Sequence, residues 1–466
     1  MPINAESRKG HYKKIGVKIM KHDSYQVLEK VKENNIKFIR LQFTDVFGRL
    51  KNIAVTVEEL EKVLSGQKRF DSSAVIGITE NREADIVLIP DPDSLVIFPW
   101  RPREGAVARM LCDVYNPDGS IFEFCSRSIL KKVVKDTYQM GFDVQIGSEI
   151  EFFLFHTTAD GTPTIKAHDQ ASYCDLSPVD LGENARRDMV LTLEEMNFEI
   201  GSSHHENSPG QNEIVLKPDD PIDAADKIAT FKFVVRTIAQ RHGLHASFMP
   251  KPLIDTNGSA LHLHYSIYEN GNNIFFDNNA KWQLSQKALA YIKGTLEHAG
   301  GITAIANPII NSYKRLSPSY VAPFYLGWSQ TNRNTMVRVP SQRDTGCRIE
   351  LRSPDPACNP YTVLATSIRA GLMGIKEYTE KSSLPEPNEN VDFKFYSNID
   401  ILEEHRDCIL PRNLDRALQI LRNDSLLKDT LGEKFVKLYL DAKGKEWEKF
   451  NSFIHPWELD EYLIHV

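Results

Sequence analysis

Several segments of this chain alternate apolar and polar residues at the period of a strand, and in each the positions sharing one face carry charge. In GSEIEFFLF, Glu149 and Glu151 are two residues apart, so both project from one side of a strand while Ile150 projects from the other. SALHLHYSIY repeats the device, with His262, His264 and Ser266 opposite Leu261, Leu263 and Tyr265. In GCRIELRSPD, Arg348, Glu350 and Arg352 stand opposite Ile349 and Leu351. Between these, HHENSPGQNEI flanks a Pro-Gly turn with Glu206 and Glu213. Any one segment alone reads equally as a solvated strand face. Their number, each beside a turn or loop, points instead to faces that converge.

Convergence would set Glu149, Glu151, Glu206, Glu213 and Glu350 around the imidazole of His262. Burying so many like charges is prohibitive without compensating cations. An oxygen-rich set with a single histidine suits Mg²⁺ or Mn²⁺, whereas Zn²⁺ prefers a tetrahedral Cys/His set. The interleaved arginines add phosphate chemistry, in which metals and guanidinium groups neutralise a transferring phosphoryl group. From the residues alone, the expectation is a multi-metal phosphoryl-transfer site.

The rest of the sequence frames that site. A length of 466 residues favours two domains. A net charge of -7 argues against nucleic acid or an anionic membrane as the main partner. The six cysteines show no CxxC spacing and read as reduced thiols of a cytoplasmic protein. No apolar run approaches the length of a membrane span. The spacing predicts a helix over residues 23–34, then a strand in IKFIRLQFTD with Ile39, Leu41 and Phe43 on its buried face. Gly48 marks a turn into a second strand carrying Ile53, Val55 and Val57. ADKIATFKFVVRTIAQRHG reads as a helix buried through Ile228, Phe231, Val235 and Ile238 and stopped at Gly243. TIKAHDQ and SLPEPNENVD read as surface loops, Trp328 as core and Cys174 as packing. The coarse class is α+β.

KPLIDTNGSALHLHYS resembles the nucleotide-binding signature of type I glutamine synthetases: Lys-Pro, a short spacer, Asn-Gly-Ser, then His-x-His-x-Ser. FDSSAVIG, DPDSLVIFPWRP, GSEIEFFLF, HHENSPGQNE, NPIINSYKRLSP, RIELRSPDP and a terminal HPWE agree in chain order. The likeness runs from about residue 23 to the end. The polar and basic opening residues read as a loosely ordered extension over residues 1–19, and the resemblance implies a β-grasp domain over 20–112 and over 113–466 a catalytic domain whose curved antiparallel sheet is surrounded by helices. It also implies a homo-oligomer, a dodecamer of two hexameric rings, with each active site shared between neighbouring subunits.

Carried over residue by residue, the resemblance implies one divalent ion on Glu151, Glu206 and Glu213 beside glutamate, and another on Glu149, His262 and Glu350 beside the ATP phosphates. Asn257, Gly258, Arg315 and Arg352 would bind glutamate, and Arg333 would stand between its γ-carboxylate and the phosphoryl group. His264, Ser266, Arg338 and Arg348 would contact ATP. Asp71 would reach in from the neighbouring subunit. His204 and His205 would support the site rather than ligate, since Glu206 fills the matching position. The implied reaction phosphorylates the γ-carboxylate of L-glutamate with ATP, after which an amine displaces phosphate to give a γ-glutamyl amide.

Departures from the family pattern gather in the amine pocket formed by Asp71, Ala74, Tyr173 and Val321. Ammonia-using members carry a glutamate in the loop after Asn-Ser-Tyr-Lys-Arg, where SPSYVAP has Val321, and a serine where this chain has Ala74. Gly201 stands where the family has a glutamate near the nucleotide. Losing a positioned base costs about 10²–10⁴ in rate, and valine with alanine enlarges the pocket and removes charge from it. The expectation is therefore a ligase for a small apolar primary amine. A glutamine synthetase using ammonia is the second reading, and a non-catalytic structural or nitrogen-sensing protein the third.

Overall fold

The computed structural model describes residues 24–77, 84–317, 321–380, 383–389 and 408–466; the extension expected over 1–19 lies outside them. The first helix, Ser24–Glu33, buries Val27 and Val31. It leads into the N-terminal sheet, whose strands are β1 (Ile36–Thr44), β2 (Leu50–Thr56), β3 (Arg69–Asp71), β4 (Asp85–Pro90), β5 (Val96–Ile97) and β6 (Ala106–Tyr115). They lie in the order β2–β1–β6–β4–β3, with β5 on β6. Ile39, Leu41 and Phe43 enter the core as their alternation predicts. The other face of β1 is solvated only in its first half. Gln42 and Thr44 are buried as well, because the second domain packs over that end.

Asn359 makes this junction specific. Its side-chain amide donates to the carbonyl of Val46 at 3.1 Å and to Ser126 Oγ at 2.8 Å, while its oxygen caps the helix Pro360–Tyr378 through Tyr361 N. At the Gly48 turn the backbone is left-handed, and a Cβ there would stand 2.5 Å from Asn359 Cα. Glycine is needed on both counts.

The second domain is built on β7 (Phe142–Thr157), β8 (Pro163–Ala167), β9 (Ile200–His205), β10 (Gln211–Asp219), β11 (Leu244–Ser247), β12 (Leu261–Glu269), β13 (Asn272–Asn273), β14 (Tyr325–Ser329), β15 (Thr335–Arg338) and β16 (Ile349–Leu351). These form one sheet, curled into a half-barrel, in the order β14–β15–β16–β12–β7–β10–β9, with β8 and β11 on β7 and β13 on β12. Helices back its apolar face. The helix Pro221–Arg241 buries Ile228, Phe231, Val235 and Ile238, and Gly243 beyond it takes the left-handed conformation that ends it. Trp328 is core, its indole N–H donating to the Pro385 carbonyl at 3.0 Å.

Two local expectations are corrected. Thr164–Ala167 of TIKAHDQ is edge strand rather than loop, pairing antiparallel with β7. Its Ile165 is exposed, so no buried periodicity betrayed it. Cys174 is exposed on a left-handed backbone and packs nothing away. SLPEPNENVD is irregular over residues 383–389, and the remainder lies outside the described residues. None of the helices is long and apolar enough to cross a membrane, among the described residues.

Candidate active site

Strand pairing brings the charged faces together. β7 is central: Glu149 faces His262 on β12, and Glu151 faces Glu213 on β10. One strand further out, His264 faces Glu350 on β16, which in turn faces Arg338 on β15. Arg348 and Arg352 lie just outside the three-residue β16 yet stay on the same side. Arg352 forms an ion pair with Glu350, and Arg348 Nε lies 3.3 Å from His264 Nδ1.

Hydrogen bonds fix the carboxylates. His262 Nδ1 and His264 Nε2 lie 3.1 and 2.9 Å from the two oxygens of Glu149. Glu350 accepts from Arg338 at 2.8 Å. Glu151 accepts from the backbone N–H of Ala260 and the side-chain amide of Gln211, both at 2.9 Å. Glu206, just past β9, meets His204 Nε2 at 2.9 Å, and that nitrogen is 3.9 Å from Glu213.

These environments pull the titrations apart. Burial and then the charge of Glu206 push Glu151 up to about 8; burial with Glu151 and Glu149 nearby pushes Glu213 up to about 10. Burial opposes ionisation of Glu350 too, but the Arg352 guanidinium together with His264 and His262 outweighs it and holds the carboxyl at about 2. Glu149 is likewise held far below the usual range by its two histidines, against the effect of burial. Burial and then Arg352 lower the pKa of His262, favouring the neutral form in which an imidazole can ligate a metal.

Three donor groups overlap here: Glu149 with His262 and Glu350, Glu151 with Glu213 and His262, and His204 with Glu206 and Glu213. Carboxylate-dominated sets of this kind fit a hard divalent cation such as Mg²⁺ or Mn²⁺. The Glu151–Glu213 pair, which burial and neighbouring carboxylates push toward the protonated form, is the observation that calls for one. A fourth group, Asp169, Asp180 and His205, is different. His205 donates from one ring nitrogen to Asp169 at 2.9 Å and from the other to the Glu206 carbonyl at 2.6 Å, and Arg186 donates to Asp180 at 2.6 Å. Its charges are matched from within, and its place is beneath the Glu206 backbone.

The ligand-capable residues open into a cleft of about 320 Å³ whose lining includes Tyr173, Asn257, Gly258, Val321 and Arg333. Gly258 has no room for a side chain, since a Cβ would lie 2.2 Å from the Pro250 carbonyl. Arg315 also lines the cleft, but its guanidinium is bound by the carbonyls of Ser353, Pro354 and Arg352. Tyr173 stands edge-on to the His204 ring at 5.3 Å. Val321 is half exposed, its N–H 3.4 Å from Asn257 Oδ1. His264, Glu350 and Arg348 adjoin the cleft through the contacts above, and Ser266 bonds the Cys347 carbonyl at 3.2 Å. Asp71 and Ala74 are not in this cleft. Asp71 ends β3 at the edge of the N-terminal sheet, its carboxylate accepting from Ser73 N at 2.6 Å, and Ala74 packs against the N-terminal core.

Gln211, which holds Glu151, was not singled out from the sequence. It lies in HHENSPGQNEI beside Glu213, but an amide among carboxylates carries no charge to draw notice.

Two family models match nearly end to end. The glutamine synthetase beta-grasp domain matches residues 35–117, and the glutamine synthetase catalytic domain matches residues 123–462. The chain belongs to the glutamine synthetase family. It is accordingly an ATP-dependent ligase. The glutamine synthetase of Clostridium saccharobutylicum is 48% identical over 443 residues, covering 95% of this chain and 99% of that protein. That of Thermus thermophilus is 46% identical over 450 residues, with 95% and 99% covered. Among solved glutamine synthetase-like structures, "GmaS/ADP complex-Conformation 1" superposes with a TM-score of 0.82 at 30% identity, covering 94% of this chain and 99% of that one.

Proposed function

We propose that this ligase joins the γ-carboxylate of L-glutamate to a small apolar primary amine. The observation that carries the reading is Val321: a half-exposed apolar side chain at the cleft lining, anchored through its backbone to Asn257, in the loop where ammonia-using relatives carry a glutamate.

The geometry is compatible with a role for each residue. Glu151, Glu206 and Glu213 would hold one Mg²⁺ or Mn²⁺, and Glu149, His262 and Glu350 another, supplying charge neutralisation for the transferring phosphoryl group. Arg338, fixed on Glu350, faces the ATP side with Arg348, His264 and Ser266. Asn257, Gly258, Arg315 and Arg352 surround the glutamate position. Arg333, whose carbonyl accepts from Arg352 Nε at 3.1 Å, meets the charge developing on the γ-carboxylate. An oxygen of that carboxylate attacks the terminal phosphorus of ATP, and ADP leaves. The amine nitrogen then attacks the acyl carbon of γ-glutamyl phosphate, and inorganic phosphate leaves with the bond electrons. The nitrogen's surplus proton passes to a carboxylate, for which Asp71 of a neighbouring subunit is the candidate within a dodecamer of shared sites.

Val321→Glu tests this reading. It should raise kcat/KM for ammonia and lower it for the best alkylamine, because a carboxylate binds ammonium while valine binds carbon. Equal effects on both would remove Val321 from amine selection. Ammonia itself is the second reading, favoured by relatives named glutamine synthetase at 45–48% identity.

A further inference from the structure

A second and larger cavity, about 1110 Å³, lies between the two domains and shares no residue with the active-site cleft. Its lining carries seven lysine and arginine side chains against one carboxylate, Glu446. In a chain of net charge -7 this is a local reversal of sign. Some of these cations are already matched: Lys443 pairs with Glu446 at 2.8 Å and Lys51 with Asp45 at 3.6 Å. Lys232, pressed by burial toward its neutral form, donates to the carbonyls of Pro356 and Cys358 at 3.0 and 3.2 Å. Others are not. Arg101 and Arg236 form no ion pair among the described residues, and Arg49 forms none either, although its charge is felt by the nearby Asp45 carboxylate. Arg236 instead lies over the Phe248 ring at 5.0 Å, and burial disfavours its charge with no anion to offset the loss.

We propose that this cavity is a binding site for a multiply phosphorylated small molecule. One monoanion would leave most of the charge uncompensated, whereas a polyphosphate chain offers several acceptors to the arginines, whose planar forks match phosphate oxygens two at a time. The volume suffices for a nucleotide. Aromatic surface stands beside the cations: Trp100, stacked on Phe98 at 4.7 Å and edge-on to Phe233, lines the same space. Ligands of this class could be a nucleoside polyphosphate or a free polyphosphate, and the ring system offers the former an extra contact. Because Arg49 comes from the N-terminal domain and Arg236 from the catalytic domain, an occupant bridges the two.

The test is equilibrium dialysis of the full-length assembled protein with inorganic tripolyphosphate in EDTA, which leaves the active site without the metals that would hold a polyphosphate there. Wild type should bind one equivalent per chain, more weakly as salt rises. The cavity double variant Arg49→Gln/Arg236→Gln should bind at least about tenfold more weakly, the loss of two charge-assisted contacts, with assembly and circular dichroism unchanged. Arg101→Gln gives an independent second reading in the same direction, and Arg338→Gln in the active site should change nothing. ADP binding at least as tightly as tripolyphosphate would make the occupant a nucleotide; ADP binding tenfold more weakly would make it a free polyphosphate. Absence of saturable binding by wild type, or undiminished binding by both cavity variants, overturns the proposal.

Discussion

Glu151 and Glu213 are direct cross-strand partners on β7 and β10, and both are buried. Like charges opposite one another destabilise a sheet, and here burial removes the water that would screen them. The pairing makes sense only with cations close at hand. Arg315 and Arg352 lower the Glu151 pKa without overcoming its burial, so the remaining compensation falls to bound metal.

Adding Mg²⁺ or Mn²⁺ to EDTA-treated protein should therefore raise Tm, by the equivalent of about 2.7 kcal/mol at a hundredfold excess over Kd. Glu213→Gln should unfold no earlier than wild type in EDTA, because it relieves the repulsion, yet gain little from metal. Its phosphate release should fall by about 10²-fold or more. Differential scanning fluorimetry and a phosphate assay read both effects; a Glu213→Gln protein that metal stabilises as strongly as wild type would contradict the assignment.

His298 offers a pH signature far from the cleft. Its Nδ1 lies 2.8 Å from Asp424, whose other oxygen caps the helix Ser425–Leu431 through Leu427 N at 3.0 Å. Burial works against the imidazolium, but the Asp424 hydrogen bond and charge outweigh it and raise the folded pKa above the ordinary 6.5. A raised histidine pKa gives stability that is fully present below the unfolded value of about 6.5 and lost as pH climbs through the folded value. Urea midpoints should fall across that window in wild type more than in His298→Gln.

Much of this was legible in the sequence because a strand's period of two records which residues share a face. Glu149 and Glu151, or His262 and His264, announce their side without reference to any other strand. What joins the strands is not local. The register that sets Glu213 against Glu151 depends on packing along β7, and the alternation around the three-residue β16 says which residues share a side but not which strand they face. The support given to Glu151 by Gln211 and by Ala260 N was invisible for the same reason. Arg315 shows the same limit: its motif position points to the cleft, but not to the three backbone carbonyls that fix its guanidinium there.

Asp71 ends an edge strand of the N-terminal sheet, outside the cleft of its own chain. If it serves a neighbour's site, mixed assemblies of Asp71→Ala and Arg333→Ala subunits should recover activity that neither variant has alone. Subunit mixing followed by a phosphate assay checks this; no recovery in verified mixed assemblies would return amine deprotonation to residues of the same chain.

The central claim is tested most directly by ATP- and glutamate-dependent phosphate release measured across ammonia, methylamine, isopropylamine, ethanolamine, aniline and putrescine. Ammonia reaches the site as ammonium at neutral pH, as a lysine amine of pKa about 10.4 would, and gains nothing from Val321. An alkyl group recovers roughly 0.8 kcal/mol per buried CH₂, so preference should be graded, about 10–200-fold per well-placed methylene at most. The account predicts that a small alkylamine has the highest kcat/KM, above ammonia and above putrescine with its second ammonium. Highest kcat/KM with ammonia would contradict it and make this chain a glutamine synthetase.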